Sequence, residues 1–362
     1  MGELRLMKGN EVLAEAAIRC GCDGYFGYPI TPQSEVMETL MASEPWNTTG
    51  MVVLQAESEV AVINMVYGAA GSGKKVMASS SGPGISLMSE GISYIAGAEL
   101  PCLIVNVQRG GPGLGTIQPS QADYFQAVKG GGHGDYKMIV LAPASVQEMN
   151  DFVDLGFELA FKYRNPAMIL TDGAIGQMME KVELSDYKPR NTVDEIEKIA
   201  GNWATTGKKP GNRRNVVTSL ELDSARMEEN NLRFQQKYKK MEEEECRFEE
   251  ILCSDAEYVI VAYGTSSRVC QKSLEIARSK GFKVGLLRPI TLFPFPKKAI
   301  AKLAEKVKGF LSVEMNAGQM IEDIKMSVYE AGKNVRIEHF GRMGGIIPTP
   351  GEVVDELEQK FS

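Results

Sequence analysis

"MVVLQAESEVAVINMVYGAAGSGKKVMASSSGPGISLMSE", residues 51–90, sets the fold class by its rhythm. The apolar run "MVVLQ" stops at a polar corner and reads as a strand; "ESEVAVINMVYGAAGSG" has apolar residues at helical spacing and ends in glycines. "KKVMASSS" is then a second strand and "ISLMSEGISYIAGAE" a second helix. Working outward, the helix "NEVLAEAAIRCG", the strand "CDGYFGYP" and the helix "TPQSEVMETLMAS" precede this block. The strands "PCLIVNV", "KMIVLAP" and "PAMILTD" follow it, the last two separated by the helical "SVQEMNDFVDLGFELAFKYR". Short apolar strands alternating with helices predict an α/β fold, a parallel sheet covered on both faces.

Residues 190–250 break the pattern. They are highly charged and poor in apolar periodicity, which predicts a linker ending in a solvated helix over "RMEENNLRFQQKYKKMEEEECRFEE". Alternation resumes with the strands "AEYVIVAYG", "KVGLLRPI", "GFLSVEMN" and "NVRIEHFG". The expected organisation is therefore a first domain over 1–189, a linker over 190–250 and a smaller α/β domain over 251–362.

With 362 residues, 43% hydrophobic and 24% charged, the chain has globular composition. A formal net charge of -7 argues against nucleic acid or an anionic membrane as a partner, since phosphate binding draws on clustered Lys and Arg. No leader-like apolar start and no 18-residue apolar run occur, so a cytoplasmic location without membrane contact is expected. Six cysteines without a C-x-x-C spacing and two histidines offer no metal site. Demanding chemistry would have to come from an organic cofactor or another chain.

Ligands of open α/β sheets sit beyond the carboxyl ends of the strands, so the strand-to-helix corners carry the functional reading. "GAAGSGKK" looks like a phosphate loop but places Lys75 where Ser or Thr is needed, and it follows a helix and precedes a strand, the reverse of the required order. "SSSGPGISL" has the right order, and Gly82 and Gly84 permit close backbone approach. Leu87, however, stands at the third glycine of a dinucleotide fingerprint, and the next strand ends in Gln108 and Arg109 instead of an acid.

At "FGYPITPQSE", Pro29 and Pro32 hold Tyr28 and Thr31 extended; Thr31 is expected to cap the next helix with Pro32 at its first position. Such a corner suits a carboxylate, and equally a plain capped turn. In "LQAESEVAV", Glu57 and Glu59 lie two apart, so at most one faces inward, and the apolar neighbours favour Glu59.

"GYPITPQSE", the 51–90 block, and "VQRGGPG" with "GGHGDY" together resemble the alpha subunit of 2-oxoacid:ferredoxin oxidoreductases. The resemblance continues through "AYGTSSR" and "LRPITLFPFP" to nearly the whole chain. It implies a thiamine-diphosphate domain of the pyrimidine type followed by a domain like the carboxy-terminal one of transketolases. The cofactor would lie between chains. This chain would grip the aminopyrimidine, with Glu59 at the ring nitrogen and Gly82 and Gly84 beside the cofactor. A beta subunit would hold the diphosphate and Mg2+ and carry an iron-sulfur cluster, joined by gamma and ferredoxin-like delta subunits.

The resemblance assigns Thr31 and Arg109 to the substrate carboxylate and suggests that Tyr28 and Pro29 shape the same wall. The Gly-rich segment 109–136, too long for a mere connection, would close over the site with His133 nearby. A 2-oxoacid would be oxidatively decarboxylated, coenzyme A taking the acyl group and ferredoxin or flavodoxin the electrons. The substrate most resembled is the branched-chain 2-oxoisovalerate, with 2-oxoglutarate as the alternative. Outside this class stand a dinucleotide-binding reductase and a non-catalytic scaffold. Retention of Glu59, Thr31 and Arg109 speaks against the scaffold.

Overall fold

The computed structural model of the chain describes residues 3–208 and 214–361. Its larger sheet has seven strands in the order Thr291–Phe293, Ile139–Leu141, Pro166–Asp172, Cys102–Gln108, Val76–Ser80, Gly24–Gly27, Val52–Gln55. Six run parallel, and Thr291–Phe293 pairs antiparallel with Ile139–Leu141. The central strands Cys102–Gln108 and Pro166–Asp172 are buried along their whole length, as strands sandwiched between helices must be.

The strand order and right-handed crossovers assign the helices to faces. Ser34–Ser43 and Val146–Tyr163 carry the chain one way along the sheet, and Glu59–Gly71 and Pro83–Gly97 carry it back on the opposite face. Packing agrees: Gly9–Arg19 lies against Val146–Tyr163 and Ser34–Ser43, while Glu59–Gly71 lies against Pro83–Gly97. Every parallel strand therefore delivers its carboxyl end to the same rim.

The smaller sheet has the order Arg336–Gly341, Gly309–Glu314, Tyr258–Val261, Val284–Pro289, Phe248–Ile251, parallel except for the last. Three features were not foreseen in the sequence, the first being that the charged helix stops at Glu244 and Phe248–Ile251, expected as its continuation, is an edge strand of the smaller sheet. Glu3–Lys8 and Met179–Leu184 form a separate antiparallel ribbon, and Thr291–Phe293, from the second half of the chain, completes the larger sheet. The charged segment is also more than a solvated connection. Its helix Ser224–Glu244 buries Phe234, Tyr238 and Met241, and Arg233 and Lys237 pair with Glu99 of the first half.

The halves are joined through buried polar contacts. Gln121 donates from Nε2 to Tyr263 O (2.8 Å) and from its backbone N to Met315 O (3.1 Å). Its Oε1 accepts from Ser266 Oγ (2.7 Å) and Met315 N (3.0 Å). Thr265 Oγ1 donates to Asp172 (2.8 Å), and Tyr124 OH to Asp323 (2.7 Å). No helix among the described residues is long and apolar enough to cross a membrane.

Candidate active site

Four adjacent strand ends, after Val52–Gln55, Gly24–Gly27, Val76–Ser80 and Cys102–Gln108, build one corner of the rim. Glu59 opens the helix Glu59–Gly71, whose cap is Ser58, with a side chain that accepts from Ala61 N. The helix N-terminus favours the carboxylate there. Glu57 points to solvent while Glu59 is 4% exposed, one inward residue as their two-residue spacing allows and the one its apolar neighbours favour. The hydrogen bond that reaches the Glu59 carboxylate comes from Ser80 Oγ, at 3.3 Å.

Gly84 is where the absence of a side chain matters most. A Cβ there would stand 2.4 Å from Glu59 Oε1 and 2.1 Å from Ser80 Oγ. The helix Pro83–Gly97, with Pro83 at its first position, thus brings bare backbone against the carboxylate. Gly82 has φ +50, and a Cβ on it would lie 3.1 Å from Arg109 Nε.

The Tyr28 corner differs from the sequence expectation. Thr31 does not cap the helix and Pro32 is not its first residue: the helix runs Ser34–Ser43 with Gln33 at the cap. The reason is local. Gln33 N bonds back to Ile30 O (3.0 Å), closing a four-residue turn around the cis Thr31–Pro32 peptide, so the chain is not yet helical at Pro32. The Pro32 carbonyl is taken by Asn10 Nδ2 (2.7 Å), and Thr31 itself is exposed. Pro29 is exposed and Tyr28 half-buried on the same turn.

Beneath this turn runs a network that sequence reasoning missed. Tyr25 OH lies 2.6 Å from Ser79 Oγ, Ser79 Oγ donates to Gln33 Oε1 (2.5 Å), and Gln33 Nε2 donates to Tyr28 O (3.1 Å). Burial raises the Tyr25 phenol above its ordinary pKa, partly opposed by the Ser79 bond, so it stays protonated. The available signal was the run "ASSS" at the end of a strand pointing to the rim.

Arg109 is strung between two backbone segments. Nη1 donates to Thr31 O (2.9 Å) and Nη2 to Leu114 O (3.0 Å), while Nε is buried without a partner. The guanidinium is thus fixed in place, with three of its five N–H donors left over. Ser81 Oγ, one residue before Gly82, is likewise buried and unpartnered.

The 109–136 segment is divided. Residues 111–115 are exposed, Pro119, Ser120 and Gln121 are buried, and residues 129–135 are exposed again. His133 sits on that last stretch, whose Gly132 abuts Ser89 and Ser93 well along the helix Pro83–Gly97. His133 is therefore displaced from the Glu59 corner. In "GAAGSGKK" the helix Glu59–Gly71 ends and Val76–Ser80 follows, so no phosphate loop exists there.

Residues 15–246 match the family model described as pyruvate flavodoxin/ferredoxin oxidoreductase, thiamine diphosphate-binding, and residues 256–353 match core domain II of pyruvate:ferredoxin oxidoreductase. The chain belongs to the 2-oxoacid:ferredoxin oxidoreductase family. It is 50% identical to the ketoisovalerate oxidoreductase subunit VorB of Methanothermobacter thermautotrophicus, over 98% of this chain and 97% of that one. It is 36% identical to the 2-oxoglutarate synthase subunit KorA of Methanocaldococcus jannaschii, over 97% and 98%.

Among solved structures, a 2-oxoglutarate:ferredoxin oxidoreductase from Magnetococcus marinus, with 2-oxoglutarate, coenzyme A and succinyl-CoA bound, superposes with a TM-score of 0.85 at 27% identity. That match covers all of this chain and 66% of the other. A split-gene transketolase shares the fold, with a TM-score of 0.60 at 12% identity, over 98% of this chain and 97% of the other. A family member of this kind is an oxidoreductase subunit that works within a complex and carries a thiamine-diphosphate domain.

The residues present fit that cofactor's ring end. A buried carboxylate faces a glycine whose missing side chain leaves room beside it, and two buried polar atoms at the same corner, Ser81 Oγ and Arg109 Nε, lack partners among the described residues.

Proposed function

We propose that this chain is the alpha subunit of a thiamine-diphosphate-dependent oxidoreductase that oxidatively decarboxylates 2-oxoisovalerate, a branched-chain 2-oxoacid, to an acyl-CoA and CO2, passing electrons to ferredoxin or flavodoxin. The observation that carries it is Glu59, a buried carboxylate with one weak hydrogen bond among the described residues, set against Gly84 at a sheet rim. The branched-chain substrate is supported by 50% identity to a ketoisovalerate oxidoreductase subunit against 36% for 2-oxoglutarate synthase subunits.

Thiamine diphosphate, when bound, supplies the carbon nucleophile and electron sink that decarboxylation of a 2-oxoacid requires. Glu59 would hold the aminopyrimidine end of the cofactor, its carboxylate taking or giving a proton there, and Gly82 and Gly84 would leave room for a ring against the backbone. Arg109 and the exposed Thr31 hydroxyl hold the substrate carboxylate, with Tyr28 and Pro29 as the adjoining wall. A beta subunit supplies the Mg2+ and diphosphate site and an iron-sulfur cluster, and gamma and delta subunits complete a cytoplasmic assembly. Residues 1–189 are assigned to the cofactor domain, 190–250 to the charged linker with its helix and 251–362 to the second domain, with Phe248–Ile251 and Thr291–Phe293 crossing those bounds to complete the two sheets.

The test is anaerobic reduction of a viologen by the complex copurified with its partner chains, given thiamine diphosphate, Mg2+, coenzyme A and a panel of 2-oxoacids. Strongest reduction with 2-oxoisovalerate is expected. Preference for 2-oxoglutarate would move the chain to the other substrate class, and no reduction by an intact, cluster-loaded complex would overturn the enzymatic reading.

A further inference from the structure

The second domain reaches the candidate site through the turn that carries Gly345. Arg109 takes its orientation in part from Leu114 O, which lies in the loop 110–118. That loop is closed by its own backbone: Gly110 N donates to Gln118 O (2.9 Å) and Thr116 N to Gly110 O (2.8 Å). Its outer side is open to solvent, with Leu114 80% and Ile117 56% exposed. Its inner side lies against the second domain. A Cβ on Gly345 would stand 2.4 Å from Gln118 Cβ and 3.2 Å from Thr116 Cγ2, and one on Gly110 would stand 3.0 Å from Gly344 C and Gly345 N.

The turn behind Gly345 is held firmly. Arg342 N donates to Glu314 O (3.1 Å), Arg342 Nη1 to Glu352 Oε1 (2.6 Å), and Thr349 N to Glu352 Oε2 (2.8 Å). Gly344 and Gly345 both have left-handed backbones, φ +66 and +96. They differ in surroundings, since a Cβ on Gly344 would meet nothing within 4 Å.

We propose that Gly345 is a positioning residue for the 2-oxoacid carboxylate: its bare backbone seats the 110–118 loop, and the loop's Leu114 carbonyl fixes the Arg109 guanidinium. This rests on the reading of Arg109 as the carboxylate-binding residue. A planar guanidinium recognises a carboxylate through a fork whose plane must be aligned. Relieving a contact of 2.4 Å at Gln118 displaces the loop by about 1 Å, a scale of misplacement that can cost on the order of 100-fold. The second domain thereby takes part in substrate recognition without touching substrate.

The experiment uses the assembled complex carrying Gly345→Ala, Gly344→Ala, Gly345→Ala with Gln118→Gly, or Arg109→Ala. Gly345→Ala is expected to raise the apparent KM for the 2-oxoacid roughly 10- to 100-fold while leaving the KM for coenzyme A in place. Gln118→Gly, by removing the atom struck, should restore most of it. Gly344→Ala, at φ +66 and without a contact, reports the cost of a milder left-handed strain, and the Gln118→Gly rescue separates the contact from the greater strain at Gly345. Equal effects from the two glycine substitutions, an unmoved 2-oxoacid KM in Gly345→Ala, or equal rises in both KM values would each overturn the proposal. Should Gly345→Ala not assemble, Gly110→Ala combined with Thr116→Ser, which removes the Thr116 methyl that a Cβ on Gly110 would otherwise meet at 2.7 Å, presses on Gly344 and Gly345 from the loop side and carries the same expectations. Unchanged kinetics in Arg109→Ala would instead sink the reading of Arg109, a result distinguishable from failure of the Gly345 role.

Discussion

Glu59 and Glu314 are buried carboxylates at comparable places, one in each domain where a strand gives way to a helix, and their surroundings are opposite. Glu314, 0% exposed, accepts from Ser312 Oγ (2.7 Å) and from the backbone N of Gln319 (3.1 Å), Met320 (2.8 Å) and Ile321 (3.0 Å). It satisfies the first amides of the helix Met320–Glu330, and its own lone pairs are used up. Among the described residues Glu59 has Ser80 alone, at 3.3 Å, and a glycine in front of it. Burying a carboxylate so poorly partnered is costly unless something outside the chain completes it. The second domain spends its strand ends on its own helix and on gripping Gln121 and Arg342, whereas the first leaves a corner open for a ligand.

From that contrast the two glutamates are expected to fail in opposite ways. Glu59→Gln should lower turnover of the complex by roughly 10²- to 10⁴-fold, the usual size of an acid-base contribution, with assembly and melting temperature intact. Steady-state viologen reduction beside a thermal melt checks both halves, and near-normal turnover would remove Glu59 from the chemistry. Arg109→Ala comes next. Loss of a desolvated carboxylate partner costs about 2 to 5 kcal/mol in kcat/KM for the 2-oxoacid. An unchanged kcat/KM would mean that Arg109 serves only to tie Thr31 O to Leu114 O.

Glu314→Gln should do the reverse of Glu59→Gln. It weakens charge-assisted bonds to three amides, so a loss of about 1 to 3 kcal/mol in stability is expected, read as a lower denaturation midpoint with unchanged slope. Turnover of the enzyme that remains folded should hold. A turnover loss without destabilisation would break the division of labour between the two carboxylates.

What the sequence revealed of this contrast follows from range. The 51–90 block announced its strands and helices because apolar periodicity is local, and Glu59, Gly82 and Gly84 could be placed at corners because corners are where periodicity changes. The turn at Thr31 was misjudged since Pro at a first helical position and Pro inside a turn present the same letters. The choice was made by the Gln33 N to Ile30 O bond and by Asn10, more than twenty residues away, capturing the Pro32 carbonyl. Thr291–Phe293 joining the larger sheet, Phe234, Tyr238 and Met241 anchoring the charged helix, and Gly345 seating the 110–118 loop are contacts across long stretches of chain. No local pattern encodes them. Ser80 lay between these cases: its position was visible, but its partner was a neighbouring element's first residue.

Ser80 also supplies the finest test. Two features could orient the Glu59 carboxylate, the Ser80 hydroxyl at 3.3 Å and the wall of bare backbone at Gly84. A bond that long is weak, and replacing one such hydroxyl costs about 0.5 to 1.5 kcal/mol at most. Ser80→Ala should therefore reduce turnover by no more than about tenfold and leave the KM for the 2-oxoacid unmoved, because Arg109 is untouched. Gly84→Ala, which would drive a methyl group into both Glu59 and Ser80, should do more harm. Combining it with Ser80→Ala should recover part of the loss by freeing the space the hydroxyl held. A Ser80→Ala defect as large as that of Glu59→Gln would show that the hydroxyl itself takes part in the chemistry, and the open corner would then belong to the pair instead of to the carboxylate alone.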